Sequence, residues 1–199
     1  TLDNGKPLNQ SLGDMEVAAR YFEYYAGIAD KIQGETIPLG PKHHAYTLRE
    51  PFGVTAHIIP WNSPLQQAAR GIAPALAAGN TVVAKPAEQT PITCLELARI
   101  AVECGLPAGV FNVVAGYGEE AGRALVDHLL VRKITFTGSV ETGKVVMHAA
   151  ADRLVPLTLE LGGKSPNIVF DDADLDAAAR SSVDSFVRNA GQICSAGTR

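Results

Sequence analysis

Residues 53–88 read GVTAHIIPWNSPLQQAARGIAPALAAGNTVVAKPAE. A β-branched apolar run, Gly53–Ile59, is broken at Pro60-Trp61-Asn62. An Ala-rich helical stretch follows over 64–78, then a second short apolar run, Thr81–Ala84. Short apolar runs on either side of a helix of this length form a βαβ unit, whose strands lie parallel and are buried on both faces.

The alternation continues toward the C-terminus. Thr90-Pro91 opens a helix over 91–104, and Val110–Val114 reads as a strand. A helix over 119–129, a strand Lys133–Thr137 and a helix over 139–151 follow. Leu157–Leu161 and Asn167–Phe170 read as strands. Asp174–Arg188 reads as a helix with Asp171, Asp172 and Asp174 at its positive N-terminal end. Pro74 inside the predicted 64–78 helix implies a kink or break. The class implied is α/β: a Rossmann-like open parallel sheet with helices on both faces, plus the beginning of a second α/β domain.

Upstream, Asp14 to about Ile32 carries Val17, Ala18, Tyr21, Phe22, Tyr25 and Ile28 at helical spacing, which makes an amphipathic helix ended near Gly34. Residues 35–50 read as extended, with a Gly40-Pro41 turn. His43 and His44 are neighbours on that strand, so they point to opposite faces and form a poor chelate. His57, His128 and His148 stand alone and read as structural.

The 199 residues suffice for one sizeable core, or one domain plus part of another. A net charge of −4 gives no reason to expect nucleic acid or an anionic membrane as a partner. No apolar run approaches the ~20 residues of a membrane helix. Cys94, Cys104 and Cys194 lack metal-ligand spacing, which argues against zinc and against a disulfide framework. A reducing, cytoplasmic compartment fits, with no metal site. Cys94 and Cys104 fall on a predicted helix and read as packing residues. The chain starts at Thr1 and stops at Arg199, five residues after Cys194, so a fragment cut at both ends is expected.

Open α/β sheets bind ligands beyond the carboxyl ends of their strands. Those ends are Ile59-Pro60-Trp61-Asn62, Ala84-Lys85-Pro86-Ala87-Glu88, Val114-Ala115-Gly116-Tyr117-Gly118, Phe136-Thr137-Gly138-Ser139 and Leu159-Glu160-Leu161-Gly162-Gly163-Lys164. Lys85 and Glu88 are a donor and an acceptor suited to the two hydroxyls of an adenosine ribose. Glu88 would repel a 2′-phosphate, which favours NAD over NADP. The plain alternative is a surface ion pair worth ~0–1 kcal/mol. The glycine turn Gly116–Gly122 is one residue too long for the strict dinucleotide fingerprint. Gly138-Ser139-Val140-Glu141-Thr142-Gly143-Lys144-Val145 comes near a P-loop, and Ile168-Val169-Phe170-Asp171 could pass for its magnesium-holding strand. Against this, Val145 stands where a hydroxyl should hold Mg²⁺, and Glu141 would put a carboxylate in the phosphate cradle. Ser139 and the free amides of a helix N-terminus still suit a pyrophosphate.

Glu160 lies between Leu159 and Leu161. A carboxylate there is either paired, with Lys164 or Arg153, or poised as a base that activates water. Asn62 offers an amide donor in a tight turn, or simply caps that turn. Cys194 sits among small residues, with Gly191 and Gly197 freeing the backbone around it. That is what a thiol nucleophile needs, although an isolated Cys also reads as a small buried hydrophobe.

Taken jointly, Pro60-Trp61-Asn62-Ser63-Pro64, Lys85-Pro86-Ala87-Glu88, Phe136-Thr137-Gly138-Ser139, Leu159–Lys164 and Gly191-Gln192-Ile193-Cys194 resemble the aldehyde dehydrogenase superfamily in order and spacing. The resemblance runs from about residue 12 to the end. It implies Cys194 as the catalytic thiol, Glu160 as the general base, and Asn62 with the Cys194 backbone amide as the oxyanion hole. It implies Lys85 and Glu88 at the adenine ribose, Ser139 at the pyrophosphate, and Gly118, Gly122, Phe136 and Gly138 as the wall around NAD. Ile59, Pro60, Trp61, Thr137, Thr142 and Leu161 complete the implied cofactor-binding set. The elongated glycine turn is the family's own form.

By the same resemblance, residues 1–160 are the NAD-binding domain, with 36–50 as an oligomerisation arm, and 161–199 begin the catalytic domain. The parent enzyme is then a homodimer or homotetramer oxidising an aldehyde to a carboxylic acid, through a cysteine thiohemiacetal and thioester. Glu160 favours release by hydrolysis. Ser63 departs from the family, which mostly carries an aromatic residue there. Two other functions remain compatible with the residues: a non-catalytic NAD-binding module, and a P-loop-like nucleotide hydrolase.

Overall fold

The computed structural model describes residues 1–199. Its elements are α1 (Leu8–Ile28), β1 (Thr36–Ile37), β2 (Ala45–Tyr46), β3 (Val54–Ile59), α2 (Pro64–Ala77), β4 (Thr81–Pro86) and α3 (Ile92–Glu103). They continue with β5 (Phe111–Val113), α4 (Arg123–Asp127), β6 (Val131–Gly138), α5 (Val140–Ala151), β7 (Leu157–Leu161) and α6 (Leu175–Val187). Strands β5-β4-β3-β6-β7 form one parallel sheet in that order. The chain first steps outward from β3 to β5, then returns to β3's other side as β6. The order therefore reverses between β3 and β6, which is where such sheets open a ligand crevice.

Strand alternation sorts the core into two layers. Ala56, Ile134 and Phe136 pack with Leu125, Val126, Val146 and Ala149 under α4 and α5. Ile59, Val82 and Ala84 pack with Ala68, Ile72, Cys94 and Phe111 under α2 and α3. Helices thus cover both faces, as the sequence predicts. Helix α3 has no side-chain cap of its own. Asp3 supplies one from 89 and 90 residues away, accepting from the Ile92 amide at 3.1 Å and from the Thr93 amide at 3.0 Å. A cap of this kind contributes about 1 kcal/mol. It also pins the N-terminal segment to the sheet layer.

Three elements differ from the sequence reading. The 139–151 and 91–104 helices form, but 119–129 splits into a π-turn over Gly118–Gly122 and the short α4. A glycine at each end of that turn weakens the regular helix. Helix α2 runs through Pro74 without ending there. Pro74 lies in the last turn, where its carbonyl accepts from Ala78 at 3.0 Å, so little helix remains beyond it to disrupt. Residues 167–170 form no strand. Ile168 and Phe170 are exposed, and the only ladder-like bonds here are Asn167 N–H to Arg199 O (2.6 Å) and Arg199 N–H to Ser165 O (3.3 Å). That pattern is a single parallel bridge between Arg199 and Pro166, and the apolar composition of 168–170 does not by itself make a strand.

Beyond Leu161 only Asn189 and Ala196 are buried. Residues 33–52 are likewise exposed apart from Ala45, and β1 and β2 form a bare antiparallel hairpin. Cys104 is exposed rather than packed.

His57 is buried on the α2 side of β3, with Nε2 3.0 Å from Thr55 Oγ1 and no partner for Nδ1. A Cβ on Gly71 would stand 2.7 Å from that Nδ1, so the glycine lets α2 seat against the ring. Burial first, and Lys133 second, lower its pKa from 6.5 to about 4. The unfolded chain therefore takes up a proton before the folded one does. This stability is complete above pH 6.5 and is lost as pH falls toward 4, by up to ~3 kcal/mol. We predict that His57→Gln flattens the dependence of the urea midpoint on pH across that window. Identical slopes for variant and wild type would refute the assignment.

Candidate functional site

Register decides which side chains share a face. Lys85, Ile58, Phe136 and Leu159 stand opposite one another across β4, β3, β6 and β7. On the α5 side Lys85, Ile58 and Phe136 of this row floor a groove of ≈ 790 Å³ at the C-terminal end of the sheet. Six of the predicted cofactor residues line it: Lys85, Glu88, Gly118, Gly122, Phe136 and Thr142. Lys85 is 3% exposed, yet its ammonium makes one hydrogen bond, to Pro86 O at 3.0 Å, with Glu88 Oε2 at 3.6 Å. A buried lysine so sparsely paired retains donors for a ligand. A Cβ on Gly122 would come within 3.4 Å of the Lys85 stem, so the glycine lets the π-turn close against it.

Gly138 ends β6, where a Cβ would strike the Phe136 ring at 2.6 Å. Ser139 caps α5 by accepting from the Thr142 amide at 3.1 Å. Only Ser139 separates β6 from α5. A P-loop needs several loop residues between its strand and helix to wrap a phosphate, and here Gly143 and Lys144 are already helical. The P-loop reading therefore fails on geometry. Glu119, Glu120 and Glu141 also line the groove and were not picked out as groove residues from sequence. The Glu141 carboxyl is held below its ordinary pKa, first by its own backbone amide and then by the Ser139 hydroxyl. The backbone amides at the start of α5, beside Ser139, are donors that a phosphate in this groove can use. An apolar floor, an adjacent donor–acceptor pair and a helix N-terminus together fit a dinucleotide.

The rows on either side of it lie on the opposite face. His57 and Thr135 stand opposite each other, as do Thr137 and Glu160. Ile59, Pro60 and Thr137 border a small polar cavity of ≈ 20 Å³ with Arg70 of α2. Glu160 is paired, but with Arg70 at 3.2 Å and not with Lys164 or Arg153. The Arg153 guanidinium instead donates to the carbonyls of Val126, His128 and Val131. Leu161, at the end of β7, packs beneath Gly143 on the groove side.

Asn62 joins this end of the sheet to the C-terminal segment. Its side chain donates to Gln192 O at 2.8 Å, two residues before Cys194. The Asn62 carbonyl accepts from Asn4 (3.1 Å) and from Asn189 (3.3 Å). Asn4 also reaches Trp61 O at 3.3 Å. Ser63 is buried against Lys6, whose ammonium donates to Ser63 Oγ at 2.7 Å and to Asp14 at 2.6 Å. Cys194 is exposed, and no hydrogen bond links its thiol to Asn62 or Glu160. Sequence reasoning missed Arg70, Asn4, Lys6 and Asn189. Only Asn189 leaves a local signal, in the turn-forming run Asn189-Ala190-Gly191.

A doubly wound parallel sheet with a dinucleotide-sized groove at its switch point places the protein among nucleotide-binding α/β folds. The family is more specific: the aldehyde dehydrogenase family model matches residues 1–199, and the chain belongs to that family. It is 53% identical, over 201 residues, to aldehyde dehydrogenase family 2 member B4, mitochondrial, of Arabidopsis thaliana, covering 100% of this chain and 37% of that one. It is 50% identical to human retinal dehydrogenase 2, covering 100% of this chain and 39% of that one. An NAD⁺ complex of an aldehyde dehydrogenase from Bacillus cereus superposes with a TM-score of 0.96 at 48% identity, over 98% of this chain and 40% of that one. The chain thus spans about two-fifths of the length of these relatives.

Trp61 is 44% exposed, is the sole tryptophan, and adjoins the switch point. We predict that NAD⁺ quenches its fluorescence saturably, whereas Mg-ATP has a much weaker effect. A magnesium-dependent preference for ATP would contradict the groove assignment.

Proposed function

We propose that this chain is the cofactor-binding part of an enzyme that oxidises an aldehyde to a carboxylic acid with NAD⁺. The observation that carries the reading is the Asn62–Gln192 hydrogen bond. It ties the Cys194 segment to the very strand end where the dinucleotide-sized groove opens. Lys85 and Glu88 would hold the adenine ribose, with Ser139 and the first amides of α5 at the pyrophosphate. Glu88, Glu119, Glu120 and Glu141 outnumber Lys85 and Arg123 in the groove's lining, and this acidic balance supports NAD over a cofactor bearing one more phosphate.

In this reading the Cys194 sulfur, as thiolate, adds to the aldehyde carbon, and the carbonyl π pair moves onto oxygen. The oxyanion is held by the Asn62 amide and the Cys194 backbone N–H. Asn62 must turn one N–H from Gln192 toward it, or use its second. A donor of this kind is worth ~3 kcal/mol of barrier. NAD⁺, when held by Lys85, Glu88 and the first amides of α5, would supply a hydride acceptor; as the carbon loses its hydride, the oxyanion's electron pair re-forms the carbonyl and leaves a thioester on Cys194. Glu160 then takes a proton from water as its oxygen adds to the thioester. Collapse expels the thiolate and releases the acid.

We also propose 1–160 as the cofactor domain and 161–199 as the start of the catalytic one. The parallel sheet ends with β7 at Leu161, which supports this division. The bare hairpin, with Ile37 and Tyr46 exposed, supports an oligomerisation arm. Three free cysteines support a reducing, cytoplasmic compartment. Lys85, Glu88, Phe136 and Thr142 all border one groove, which supports dinucleotide binding by this part of the enzyme.

In the full-length enzyme we expect Cys194→Ser to abolish aldehyde-dependent NADH formation while NAD⁺ binding survives. Unchanged turnover would dispose of the mechanism. We expect Glu160→Gln to leave a rapid burst of NADH followed by slow steady-state turnover. Equal slowing of both phases would remove Glu160 from the hydrolytic step.

A further inference from the structure

Three consecutive residues ahead of Cys194 enter the left-handed region: Asn189 (φ 48°), Ala190 (φ 54°) and Gly191 (φ 77°). Glycine does so freely and asparagine tolerably, but alanine is disfavoured there by its Cβ. Such a run persists only where surrounding contacts hold it. Asn189 supplies them. It is 6% exposed, in a segment where only one other residue, Ala196, is buried. Its backbone carbonyl accepts from Gln192 N–H at 3.0 Å and closes the turn. Its side-chain amide donates to Asn62 O at 3.3 Å, across 127 positions of sequence. The Asn62 side chain returns the contact by donating to Gln192 O at 2.8 Å. The two loops therefore grip each other in both directions, with Asn189 as the buried member of the clasp.

We infer that Asn189 is a positioning residue that sets the Asn62 amide against the Cys194 backbone amide, fixing the spacing of the two oxyanion donors. The inference rests on the proposed roles of Asn62 and Cys194. Asn189 touches neither the reacting carbon nor the cofactor groove; it acts through the Asn62 peptide. An asparagine meets both demands at once, because it tolerates the left-handed backbone and carries an N–H donor on a short stem. Glycine meets only the first. Aspartate meets the first but turns an acceptor toward the Asn62 carbonyl.

The test uses the full-length enzyme with Asn189→Gly and Asn189→Asp, and Asn62→Ala as reference. Four quantities are read: the single-turnover NADH burst rate, KM for the aldehyde, NAD⁺ affinity, and the rate of Cys194 alkylation by iodoacetamide. Alkylation displaces iodide at a saturated carbon and develops no oxyanion, so it reports the thiol and its loop without the donors. We expect both Asn189 variants to slow the burst by roughly 10- to 100-fold, with KM, NAD⁺ affinity and alkylation rate unchanged. An unchanged burst in Asn189→Gly, beside a slowed burst in Asn62→Ala, would overturn the inference while sparing the mechanism. Parallel loss of burst and alkylation would also overturn it, since Asn189 would then merely hold the loop folded. An unchanged burst in Asn62→Ala would remove the basis of both readings.

Discussion

Parallel register is the constraint on which the rest depends. Successive side chains of a strand point to opposite faces, and the pairing of β4, β3, β6 and β7 aligns them into rows. The row Lys85–Ile58–Phe136–Leu159 faces α5, and its first three members floor the groove. One residue further along, Thr137 and Glu160 face α2. A slip of one residue in β7 would put Glu160 on the groove side and Leu159 against Arg70. The apolar residues Leu157, Leu159 and Leu161, packed on the α5-side core, oppose that slip. Hydrophobic patterning thereby decides where the proposed base stands, although the base contributes nothing to the core itself.

Support for Asn62 comes from the opposite end of the chain. Asn4 bonds the carbonyls of Trp61 and Asn62, Lys6 bonds Ser63, and Asp3 caps α3. Lys6 and Asp14 form the most buried ion pair whose members are both largely covered, at 7% and 19% side-chain exposure. Removing either partner would strand a charge next to the Asn62 turn, which is far more disruptive than losing a surface pair. Ser63 is part of this arrangement: its hydroxyl completes the ammonium's partners. The position where the family mostly carries an aromatic side chain is here a buried polar anchor for Lys6.

The sheet was legible because its signals are local. Runs such as Val54–Ile59 and Thr81–Pro86 carry their own periodicity and their own turn residues. Lys85, Glu88, Gly118, Gly122, Phe136 and Thr142 converge because each sits at a strand end or helix start that pattern alone locates. Residues 167–170 misled for the converse reason. Ile168, Val169 and Phe170 have the composition of a strand, but whether such a run pairs depends on a tertiary partner, which composition does not reveal. Arg70 and Asn4 were illegible because their importance lies wholly in tertiary partners: one on β7, the other 57 and 58 residues away in the β3–α2 turn. Proline at position 74 misled because its effect depends on how much helix follows it.

The two lysine or arginine pairings at the site differ in a way that suits their proposed tasks. Lys85 is buried, while Glu88 is 38% exposed and 3.6 Å from its ammonium, so the donor is held in place and the acceptor is left at the groove's edge. A fixed donor beside an accessible acceptor suits recognition of a ribose diol. Arg70 and Glu160 are 39% and 48% exposed, and such a pair contributes only ~0–1 kcal/mol. A carboxylate bound so weakly exchanges readily between its ion pair and a water molecule. A base that must engage water only after a thioester has formed needs that freedom. The arginine can then keep Glu160 on its own face of the sheet without holding it back from reaction. The small energy of the pair is therefore consistent with catalysis, where a deeply buried bridge at the same position would oppose it.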